Sequence, residues 1–477
     1  MRKYAVKNPT IPSFMQALAC VSGMFVIVFL SLFRLHIELH SVMLMSIIWV
    51  IFHAYYLDKN LLRLQTSMKL GIQKSLSVFL IFILIGAVIA AFTASGAIPT
   101  LIYYGLNFIS PNAFLSISMI LCSVMSLAIG TCWGTIGTMG IALMGVATLF
   151  HIPLPMAAGA IVSGAYFGDK FSPISDTTIL SALTTQTNLY KHIQGMSYSI
   201  IPAYLITLSL FFFLDYQNDS LSTHALSDLT AVQHIITQHF HVDLITLLPM
   251  LIMLAMNIKK QAAEISMIAS IVVALILAIN VQHLSFMESL HILFSGPSLH
   301  DTGSIILDGI LRHGGIQSML SSLSLTLLIL ALGGILEHYG FISVLFTTFI
   351  KSLKNPLSLV FTTLWTCVVC NILMGEAYLS IILTSRIFKS AYQRMNLDSC
   401  ILSKAIEEGC TFSTPLIPWT TSGAFISATL GINAADYMMW SLFNWIAPLV
   451  FLIFVAANFF GIKFYQPPPP LPEPLRG

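Results

Sequence analysis

Residues Ser163 to Leu180 read SGAYFGDKFSPISDTTIL, a polar island in a strongly apolar chain. The island combines two aspartates, a lysine and several hydroxyl side chains with glycine and proline. A charged side chain at bilayer depth costs about 2.5 to 3.5 kcal/mol even on the mildest scale, so such groups persist where they have a task. Proline and glycine also interrupt a helix and free backbone groups that need an ion, water or protein as partner. We therefore interpret this segment as a transport site.

The composition of the whole chain indicates an all-α polytopic membrane protein. Of its 477 residues, 57% are hydrophobic and 8% are charged, and the mean hydropathy is +0.88. Soluble domains carry about 25% charged residues. At roughly 20 apolar residues per span, the length accommodates about 10 to 12 transmembrane helices and little else. The apolar stretch Phe14 to Phe33 is long for a signal peptide and lacks a cleavage site, so we expect it to be a retained first span.

Several functional classes find no support in the sequence. A net charge of +2 with scattered basic residues gives no basis for a nucleic-acid partner. There is no HExxH motif and no serine in a GxSxG context, so we predict that the protein is not an enzyme. The CxxC of Cys367 and Cys370 lies in an apolar run typical of buried structural thiols. Two polar loops are rich in histidine but lack metal-ligand spacing, which favours solvated loops over metal sites: His224, His234, His239 and His241, then His283, His291, His300 and His313.

Apolar runs predict the spans and show where they are interrupted. They cover Pro12 to Leu32, Ile37 to Leu57, Ser75 to Ser95, Asn112 to Phe150, Gly195 to Leu214, Val242 to Ile258, Glu264 to Gln282, Ser322 to His338, Pro356 to Ser385 and Tyr437 to Gly461. Asn112 to Phe150 and Pro356 to Ser385 exceed one bilayer crossing, so each must tilt, kink or continue beyond the membrane. Two further stretches, Leu154 to Ala182 and Ser399 to Leu430, are apolar but broken by polar residues.

The same order of elements recurs in two halves. Gly86 to Gly96 corresponds to Gly333 to Gly340, and the glycine-rich Gly130 to Gly145 corresponds to Cys370 to Ser385. The break at Pro173 then corresponds to the break at Pro415 and Pro418. Repeats with broken segments in matching positions are typical of secondary transporters and point to the binding site. We predict a first transmembrane repeat at 1–235, a second at 236–462, and a proline-rich C-terminal tail at 463–477.

Loop charges predict the orientation, because short cytoplasmic loops concentrate lysine and arginine. Clusters that mark the cytoplasmic side are Arg2, Lys3 and Lys7, then Lys59, Arg63, Lys69 and Lys74, then Lys259 and Lys260, then Lys351 and Lys354. The loop from Asp215 to His241 has no lysine or arginine and is predicted outside, so equivalent elements face opposite ways and the repeats are inverted. Both termini are then cytoplasmic. With the loops alternating between the two sides in this way, both ends of Leu154 to Ala182 must lie on the cytoplasmic side, as in a re-entrant hairpin or a pair of broken helices. The same scheme leaves Arg386, Lys389 and Arg394 outside, against the rule.

The polar island suits a small hard cation. Proline disfavours helix at its own and the preceding position, so we expect an unwound segment around Pro173, after which Ser175 or Asp176 caps the next helix. Carboxylates, hydroxyls and free carbonyls are the ligands that hard cations prefer. The alternative is a surface loop with ordinary capping residues. The candidate ligands of this segment are Asp169, Ser172, Ser175, Asp176, Thr177 and Thr178, with Asp169 and Asp176 as the carboxylates that would bind the cation.

The matching segment of the second half reads EEGCTFSTPLIPWTTSG, from Glu407 to Gly423. Its two prolines preclude a regular helix, and its threonines and serine again supply oxygen ligands. Glu407 and Glu408 point about 100° apart on a helix, so at most one faces a shared cavity, while the other is free to pair with Lys404. Glu376 is an isolated carboxylate in a long apolar run. It is either an interfacial glutamate or a buried carboxylate that titrates.

Four segments carry a family resemblance: GTCWGTIGTMGIALMG at Gly130 to Gly145, SGAYFGDKFSPISDTT at Ser163 to Thr178, AYLSIILTSRIFKSAY at Ala377 to Tyr392, and EEGCTFSTPLIPWTTSG. With these motifs in this order, the chain resembles the NhaC family of Na⁺/H⁺ antiporters within the ion-transporter superfamily. The resemblance covers most of the chain from about Ser75 onward. It implies exchange of external protons for cytoplasmic sodium across a bacterial inner (plasma) membrane, without a cofactor.

The resemblance also implies a set of site residues. Asp169 and Asp176, with hydroxyls beside them, line the cation site from the first half, and Glu376 falls where many members have an acidic residue. The remaining residues implied are Glu407, Glu408, Thr414 and Trp419 from the second half, and Trp133, Thr135 and Thr138 from the glycine-rich helix. The chain departs from the family pattern at Glu408, where aspartate is usual, at Thr420, where asparagine is usual, and at Thr384-Ser385, where Pro-Gly is usual.

The sequence thus predicts a carrier with two inverted repeats, Na⁺ and H⁺ as substrates, the lipid bilayer as surroundings, and either a monomer or a homodimer. A carboxylate pair centred on Asp169 or Asp176 is expected to bind either protons or Na⁺, and alternating access moves the loaded site. The alternative keeps the fold and changes the cargo to an organic acid or amino acid, as in malate/lactate-type antiporters, with Lys170 or Arg386 pairing a substrate carboxylate.

Overall fold

The computed structural model describes residues 11–35, 37–74, 76–173, 175–217, 233–259, 261–297, 314–350, 353 and 355–457. Every regular element within these ranges is a helix, which confirms the predicted all-α class. In chain order the helices are α1 (Phe14–Phe29), α2 (Leu39–Asp58), α3 (Leu61–Gln73), α4 (Leu76–Ala94), α5 (Ala97–Phe108), α6 (Phe114–Ile129), α7 (Cys132–Thr135), α8 (Ile141–Leu149), α9 (Leu154–Phe171), α10 (Asp176–Thr185), α11 (Leu189–Gln217), α12 (Gln233–His239), α13 (Leu248–Ile258), α14 (Ala263–Asn280), α15 (Phe286–Ser295), α16 (Ile316–His338), α17 (Phe341–Ile350), α18 (Pro356–Met374), α19 (Ala377–Arg394), α20 (Ser399–Ile406), α21 (Thr421–Leu430), α22 (Ala434–Tyr437) and α23 (Leu442–Ala456).

The helices are long and apolar enough for a multi-pass membrane protein. Among the described residues, eight helices meet the length and hydropathy of a membrane span, or ten when each of two sharply bent helix pairs counts as one span. The bends are 67° between α4 and α5 and 81° between the Gln233–His239 and Leu244–Ile258 segments. The predicted proline-rich tail at 463–477 lies outside the described residues.

The two overlong apolar runs are helical hairpins. α6 ends at Gly130, and α7 begins directly afterwards; α18 ends at Gly375, and α19 begins directly afterwards. Both glycines have positive φ, 80° and 68°, a conformation that glycine adopts without steric cost. The arms return alongside each other, since Phe114 meets Phe150 with ring centroids 6.1 Å apart in the first run, and the Thr363 and Tyr392 hydroxyls lie 3.1 Å apart in the second. These runs therefore reverse direction at a glycine instead of tilting or continuing beyond the membrane.

Two ends of the helix bundle can be named from α11, which is 29 residues long and so extends about 43 Å. Near its beginning, Lys191 pairs with Asp398 at 2.5 Å. Near its end, the carboxylate of Asp215 accepts hydrogen bonds from the backbone N–H groups of Leu115 and Ser116 at 3.0 and 2.9 Å, at the start of α6. We call these ends the Lys191 face and the Asp215 face.

α9 and α10 form one span that is broken in the middle. α9 runs parallel to α6, because Gly164 packs on Met119 and Gly168 packs on Ser123. α6 begins at the Asp215 face, so α9 begins there as well. α10 ends at the Lys191 face, where the Thr187 hydroxyl donates to Ser399 at 3.0 Å. The interpretation of Leu154 to Ala182 as a segment with both ends on one side is therefore wrong.

The physical reason lies in the two kinds of break. At Gly130 and Gly375 the chain reverses, whereas the polar break before α10 only interrupts it, because Ser172 and Ser175 are extended and helix then resumes. The second broken span runs the opposite way. α20 begins beside Asp398 at the Lys191 face, and beyond α21 the backbone of Trp440 packs against Gly159 near the start of α9. This antiparallel pair is the geometry that an inverted repeat requires, while the boundaries of the two repeats remain a prediction.

The corrected topology also reconciles the basic cluster with the loop-charge rule. α19 ends at Arg394, four residues before Asp398, so Arg386 and Arg394 belong to the half of α19 that approaches the Lys191 face. Placing that face in the cytoplasm puts this cluster inside, as the rule requires. The conflict in the sequence arose from the wrong assignment of Leu154 to Ala182.

The predicted cytoplasmic loop after the second span is a helix. α3 fills most of the interval from Lys59 to Lys74. It packs closely on α16, where Gly71 lies against the backbone of Leu330 and Gly334 with no space for a side chain. Lys74 pairs with Glu337 at 2.6 Å, which ties α3 to the end of α16.

Candidate functional site

The two broken spans bring their polar residues together in the interior. α9 continues to Phe171, the chain is extended at Ser172 and Ser175, and α10 starts at Asp176. In the second half, a π-helical turn at Glu407–Thr411 and a short 3-10 turn at Thr414–Leu416 follow α20. Thr420 then caps α21 by accepting from the Gly423 N–H at 3.0 Å. Both predicted breaks are thus present.

Lys170 lies at the point where the two breaks meet. Its ammonium is 2.7 Å from Asp169 Oδ2 and 2.6 Å from Glu407 Oε1. It also donates to the Thr177 hydroxyl at 2.6 Å. The three N–H donors of the ammonium are therefore all used. Lys170 and Glu407 have no exposed surface, so this ion pair is held entirely inside the protein.

Glu407 is the most fully satisfied carboxylate of the interior. Besides Lys170, it accepts from Thr177 at 3.0 Å, from Thr411 at 3.1 Å and from the Ser181 hydroxyl. A buried carboxylate needs such donors, because its ionised form is otherwise costly in a low-dielectric interior. We call Asp169, Lys170, Thr177, Ser181, Glu407 and Thr411 the Lys170 cluster.

A cavity of about 570 Å³ adjoins the Lys170 cluster. Asp169, Ser175, Asp176 and Thr177 of the first broken span line it. The other walls are the tip of the first hairpin at 129–133, the loop and helix start at 261–264, and Tyr378. The hairpin enters from the Asp215 face and α6 alone extends about 24 Å, so its tip lies on the Lys191 side of the middle. The cavity is therefore offset toward the Lys191 face.

Glu408 points away from this cavity. Its Oε1 accepts from the Ser199 hydroxyl of α11 at 2.8 Å and lies 3.6 Å from Lys404 Nζ, one turn earlier. Its Oε2 is buried without a hydrogen-bond partner. Glu407 and Glu408 thus face different partners from the π-helical turn, and only Glu407 belongs to the Lys170 cluster.

Glu376 is buried, with 2% of its surface exposed, and therefore is not an interfacial glutamate. It caps α19 by accepting from the Tyr378 N–H at 3.3 Å through Oε1. Its Oε2 has no hydrogen-bond partner. The neighbouring Gly375 carbonyl accepts from the Thr421 N–H at 2.8 Å, so the tip of the second hairpin touches the second break.

Several other predicted residues use their polar groups locally. Thr135 and Thr138 donate to backbone carbonyls of their own helix at 3.1 and 2.7 Å. Thr414 and Thr420 likewise bond backbone carbonyls inside the second break, at 2.8 and 2.5 Å. The indole N–H of Trp419 donates to the Ile372 carbonyl at 2.9 Å. In this conformation Thr414, Trp419 and Thr420 stabilise the second break. None of the five side chains is part of the cavity wall.

Two predicted residues are buried with hydroxyl groups that have no partner, and a third lies in the cavity wall. Ser172 and Thr178 are buried, and their hydroxyl oxygens have no hydrogen-bond partner. Trp133 lies in the cavity wall, with its ring stacked on Phe425 at 4.5 Å between centroids. Its flat face closes the cavity against the second broken span.

The sequence did not single out three residues that the structure brings to the site, and it gave a fourth, Lys170, a different role. Lys170 was considered as a partner for an organic acid, whereas it is the internal counter-ion of Asp169 and Glu407. Ser181 lies one helical turn after Thr177, and this i,i+4 spacing could have revealed it. Glu264 and Tyr378 line the cavity from distant parts of the chain, and no local pattern marks them.

Among the described residues there is no group of three or more His, Cys, Asp or Glu side chains that could hold a metal ion. The cavity wall instead offers the carboxylates of Asp169, Asp176 and Glu264 together with hydroxyl side chains. His224, His300 and His313 of the predicted histidine-rich loops lie outside the described residues.

Comparison with known proteins places the chain among cation antiporters. A family model described as the Na⁺/H⁺ antiporter family matches residues 5–186 and 164–459. The Na⁺/H⁺ antiporter NhaC of Alkalihalophilus pseudofirmus is 32% identical over 431 residues, which cover 90% of this chain and 93% of the relative. NhaC of Bacillus subtilis is 34% identical over 434 residues, 90% of this chain and 95% of the relative.

A third relative has a different cargo in its name. The malate-2H⁺/Na⁺-lactate antiporter of Bacillus subtilis is 36% identical over 383 residues, 80% of this chain and 81% of the relative. The family model and the two NhaC relatives extend over nearly the whole chain. The chain therefore belongs to the Na⁺/H⁺ antiporter family, which confirms the resemblance to NhaC antiporters predicted from its sequence.

Proposed function

We propose that this protein is a secondary active carrier that exchanges cytoplasmic Na⁺ for external H⁺ by alternating access. Na⁺ binds in the cavity beside the Lys170 cluster, with Asp169 and Asp176 as its carboxylate ligands. Both lie at the interrupted centre of the first broken span, where extended backbone also offers carbonyl oxygens. The protein acts as a carrier and not as an enzyme, and Na⁺ and H⁺ are its substrates.

The charge of the cavity is the observation that carries this proposal. Asp169, Asp176 and Glu264 line it, and none of the lining residues that the structure describes is lysine, arginine or histidine. Behind the wall, the single ammonium of Lys170 is shared by Asp169 and Glu407. The described interior therefore has more carboxylate than ammonium charge at this point, and a cation from solution balances it.

The same arrangement disfavours an organic acid as cargo. A substrate carboxylate needs a free cationic partner, but Lys170 already uses its three donors inside the protein. Arg386 is exposed on α19 and is not part of the cavity wall. Malate or lactate would also meet three carboxylates in the cavity, and their charges repel.

The orientation supports the direction of exchange. The cavity lies toward the Lys191 face, and the loop-charge rule assigns that face to the cytoplasm of a bacterial inner membrane. In this conformation the carboxylates are reached from the cytoplasmic side. Movement of one half of the protein against the other then exposes them to the outside.

Asp176→Asn tests the cation site in proteoliposomes. The substitution removes one carboxylate from the cavity and keeps the size of the side chain. We expect it to abolish both Na⁺/Na⁺ counterflow and Na⁺-driven proton movement, measured with radioactive Na⁺ and a pH-sensitive dye. Asp243→Asn makes the same chemical change at an exposed residue outside the cavity and should behave as wild type.

The cargo is tested in the same preparation. Malate and lactate should change neither the Na⁺ flux nor the proton flux of the wild type. Transport of either acid would assign the protein to the malate/lactate type of cargo. Wild-type exchange by Asp176→Asn would exclude Asp176 as a Na⁺ ligand.

A further inference from the structure

A second line of titratable side chains follows the interface between α11 and α20. The two helices run parallel from the Lys191 face, because Lys191 meets Asp398, Gly195 meets Lys404 and Ser199 meets Glu408. From residue 191 to residue 199 the line extends about 12 Å into the protein. It begins at Lys191, whose side chain is 44% exposed, and ends at the fully buried Glu408.

The middle of this line holds a buried histidine. His192 has no exposed surface, and its Nδ1 shares a hydrogen bond with the Ser403 hydroxyl at 2.7 Å. Its Nε2 has no hydrogen-bond partner. In the tautomer whose Nδ1–H donates to the Ser403 hydroxyl, Nε2 is a free acceptor that can bind a proton.

The inner end of the line is a carboxylate with one unused oxygen. Glu408 receives the Ser199 hydroxyl on Oε1, and its Oε2 is buried without a partner. Lys404 is held independently of Glu408, because it donates to the Gly195 carbonyl at 2.9 Å and lies 4.7 Å from the centre of the Phe451 ring. The ammonium therefore keeps favourable contacts when Glu408 becomes neutral.

This line does not share residues with the cation cavity. His192, Lys404 and Glu408 are absent from the cavity wall, which Asp169 and Asp176 line. The backbone of the π-helical turn separates the two regions, since Glu407 faces Lys170 and the adjacent Glu408 faces Ser199. Protons and cations therefore have two distinct sets of polar groups available.

We propose that the interface between α11 and α20 is a proton route, with Glu408 as a proton-binding site separate from the Na⁺ site. This proposal rests on the proposed exchange of Na⁺ and H⁺. It differs from the expectation that both ions compete for one aspartate pair. Proton binding turns the Glu408 carboxylate into a carboxylic acid at Oε2, and no other bond changes.

The charged and titratable groups around Glu408 come from every helix packed against it. α20 and its π-helical turn supply Asp398, Cys400, Lys404 and Glu407; α11 supplies Lys191 and His192; α18 supplies Cys367 beside Gly409. α23 contributes Phe451. Glu407 is neutralised by Lys170 from α9, so Lys404 is the cation nearest to Glu408 on this interface.

The test separates cation movement from proton movement. Glu408→Gln in proteoliposomes should retain Na⁺/Na⁺ counterflow at equal pH and lose Na⁺-driven proton movement at a clamped membrane voltage. Ser199→Ala should weaken proton movement, because it removes the donor to Glu408. Thr207→Ala is the matched control, since this buried hydroxyl on the same helix donates only to its own backbone at Ala203 and should leave both fluxes unchanged.

Each result decides between the proposals. Wild-type proton movement in Glu408→Gln, or joint loss of both fluxes in folded protein, would overturn the proton site. If wild-type protein moves neither Na⁺ nor Na⁺-coupled protons, the proposed function itself fails. Should Glu408→Gln not fold because Lys404 loses its partner, the double variant Lys404→Met with Glu408→Gln removes both charges and is judged by the same two fluxes.

Discussion

The ammonium of Lys170 lies 2.6 Å from Glu407 Oε1, so a single buried ion pair joins the two broken spans of the protein. The partners are separated by 237 residues in the chain and come from opposite halves. Four further donors or acceptors, from Asp169, Thr177, Ser181 and Thr411, complete the cluster. The pair therefore holds the interior together at the point where helical hydrogen bonding is interrupted.

Removing one partner of this pair should be strongly destabilising. Lys170→Met leaves Glu407 and Asp169 ionised and buried without a cation, and breaking a buried ion pair in this way costs about 3 to 5 kcal/mol. We expect a marked fall in the thermal unfolding midpoint in detergent, together with loss of transport. Glu407→Gln should cost less, because Asp169 still pairs with Lys170.

The double variant Lys170→Met with Glu407→Gln separates stability from function. It removes the Glu407 charge that Lys170→Met alone leaves buried and unpaired, so we expect it to recover part of the lost stability and to remain inactive. A double variant as unstable as Lys170→Met alone would show that the pair does not act as a unit.

Much of this site could be predicted from sequence because its signals are local. Pro173 and Pro415 disrupt helices by removing an amide donor, and the structure breaks both spans there. The adjacent Glu407 and Glu408 must point about 100° apart on a helix, and they face different partners. These inferences need only backbone geometry.

The remaining features depend on contacts between distant segments. That Lys170 pairs with Glu407, and that Glu264 reaches the cavity, follows from tertiary packing for which a single sequence holds no pattern. The assignment of Leu154 to Ala182 failed for a related reason. Both Gly130 and Pro173 interrupt helices, but the chain turns back only at Gly130, where Phe114 and Phe150 of the two arms meet.

Gly375 should not tolerate a side chain. Its φ is 68°, and a Cβ atom would lie 1.8 Å from Ile329 Cγ2. Gly375→Ala therefore combines backbone strain with an overpacking cost of about 1 to 3 kcal/mol. Gly340→Ala is the matched control, because φ is 75° there but nothing lies within 4 Å of the added Cβ. We expect Gly340→Ala to be destabilised only by backbone strain, by about 1 to 2 kcal/mol. Equal unfolding midpoints for the two variants would contradict the packing of the hairpin tip.

The orientation can be tested by labelling introduced cysteines in right-side-out and inside-out vesicles. The seven native cysteines are buried, so a membrane-impermeant thiol reagent should give little background. Arg394→Cys, near the Lys191 face, should react from the cytoplasmic side, whereas His239→Cys should react from outside. Both native residues are exposed. Reaction of Arg394→Cys from outside would restore the assignment that the corrected topology replaces.

Glu376 provides a test that links stability to function. Its Oε1 caps α19, but its Oε2 is buried without a partner, and capping alone does not need a carboxylate. Glu376→Gln keeps the capping oxygen and removes the group that is costly to bury, so we expect a higher unfolding midpoint and a lower Na⁺-dependent flux. Asp398 is the contrasting N-cap, because Cys400 N–H and Lys191 satisfy its two oxygens at 2.9 and 2.5 Å. Asp398→Asn should therefore lower the midpoint. If Glu376→Gln instead lost stability and kept full transport, the carboxylate would serve the fold and not the ion.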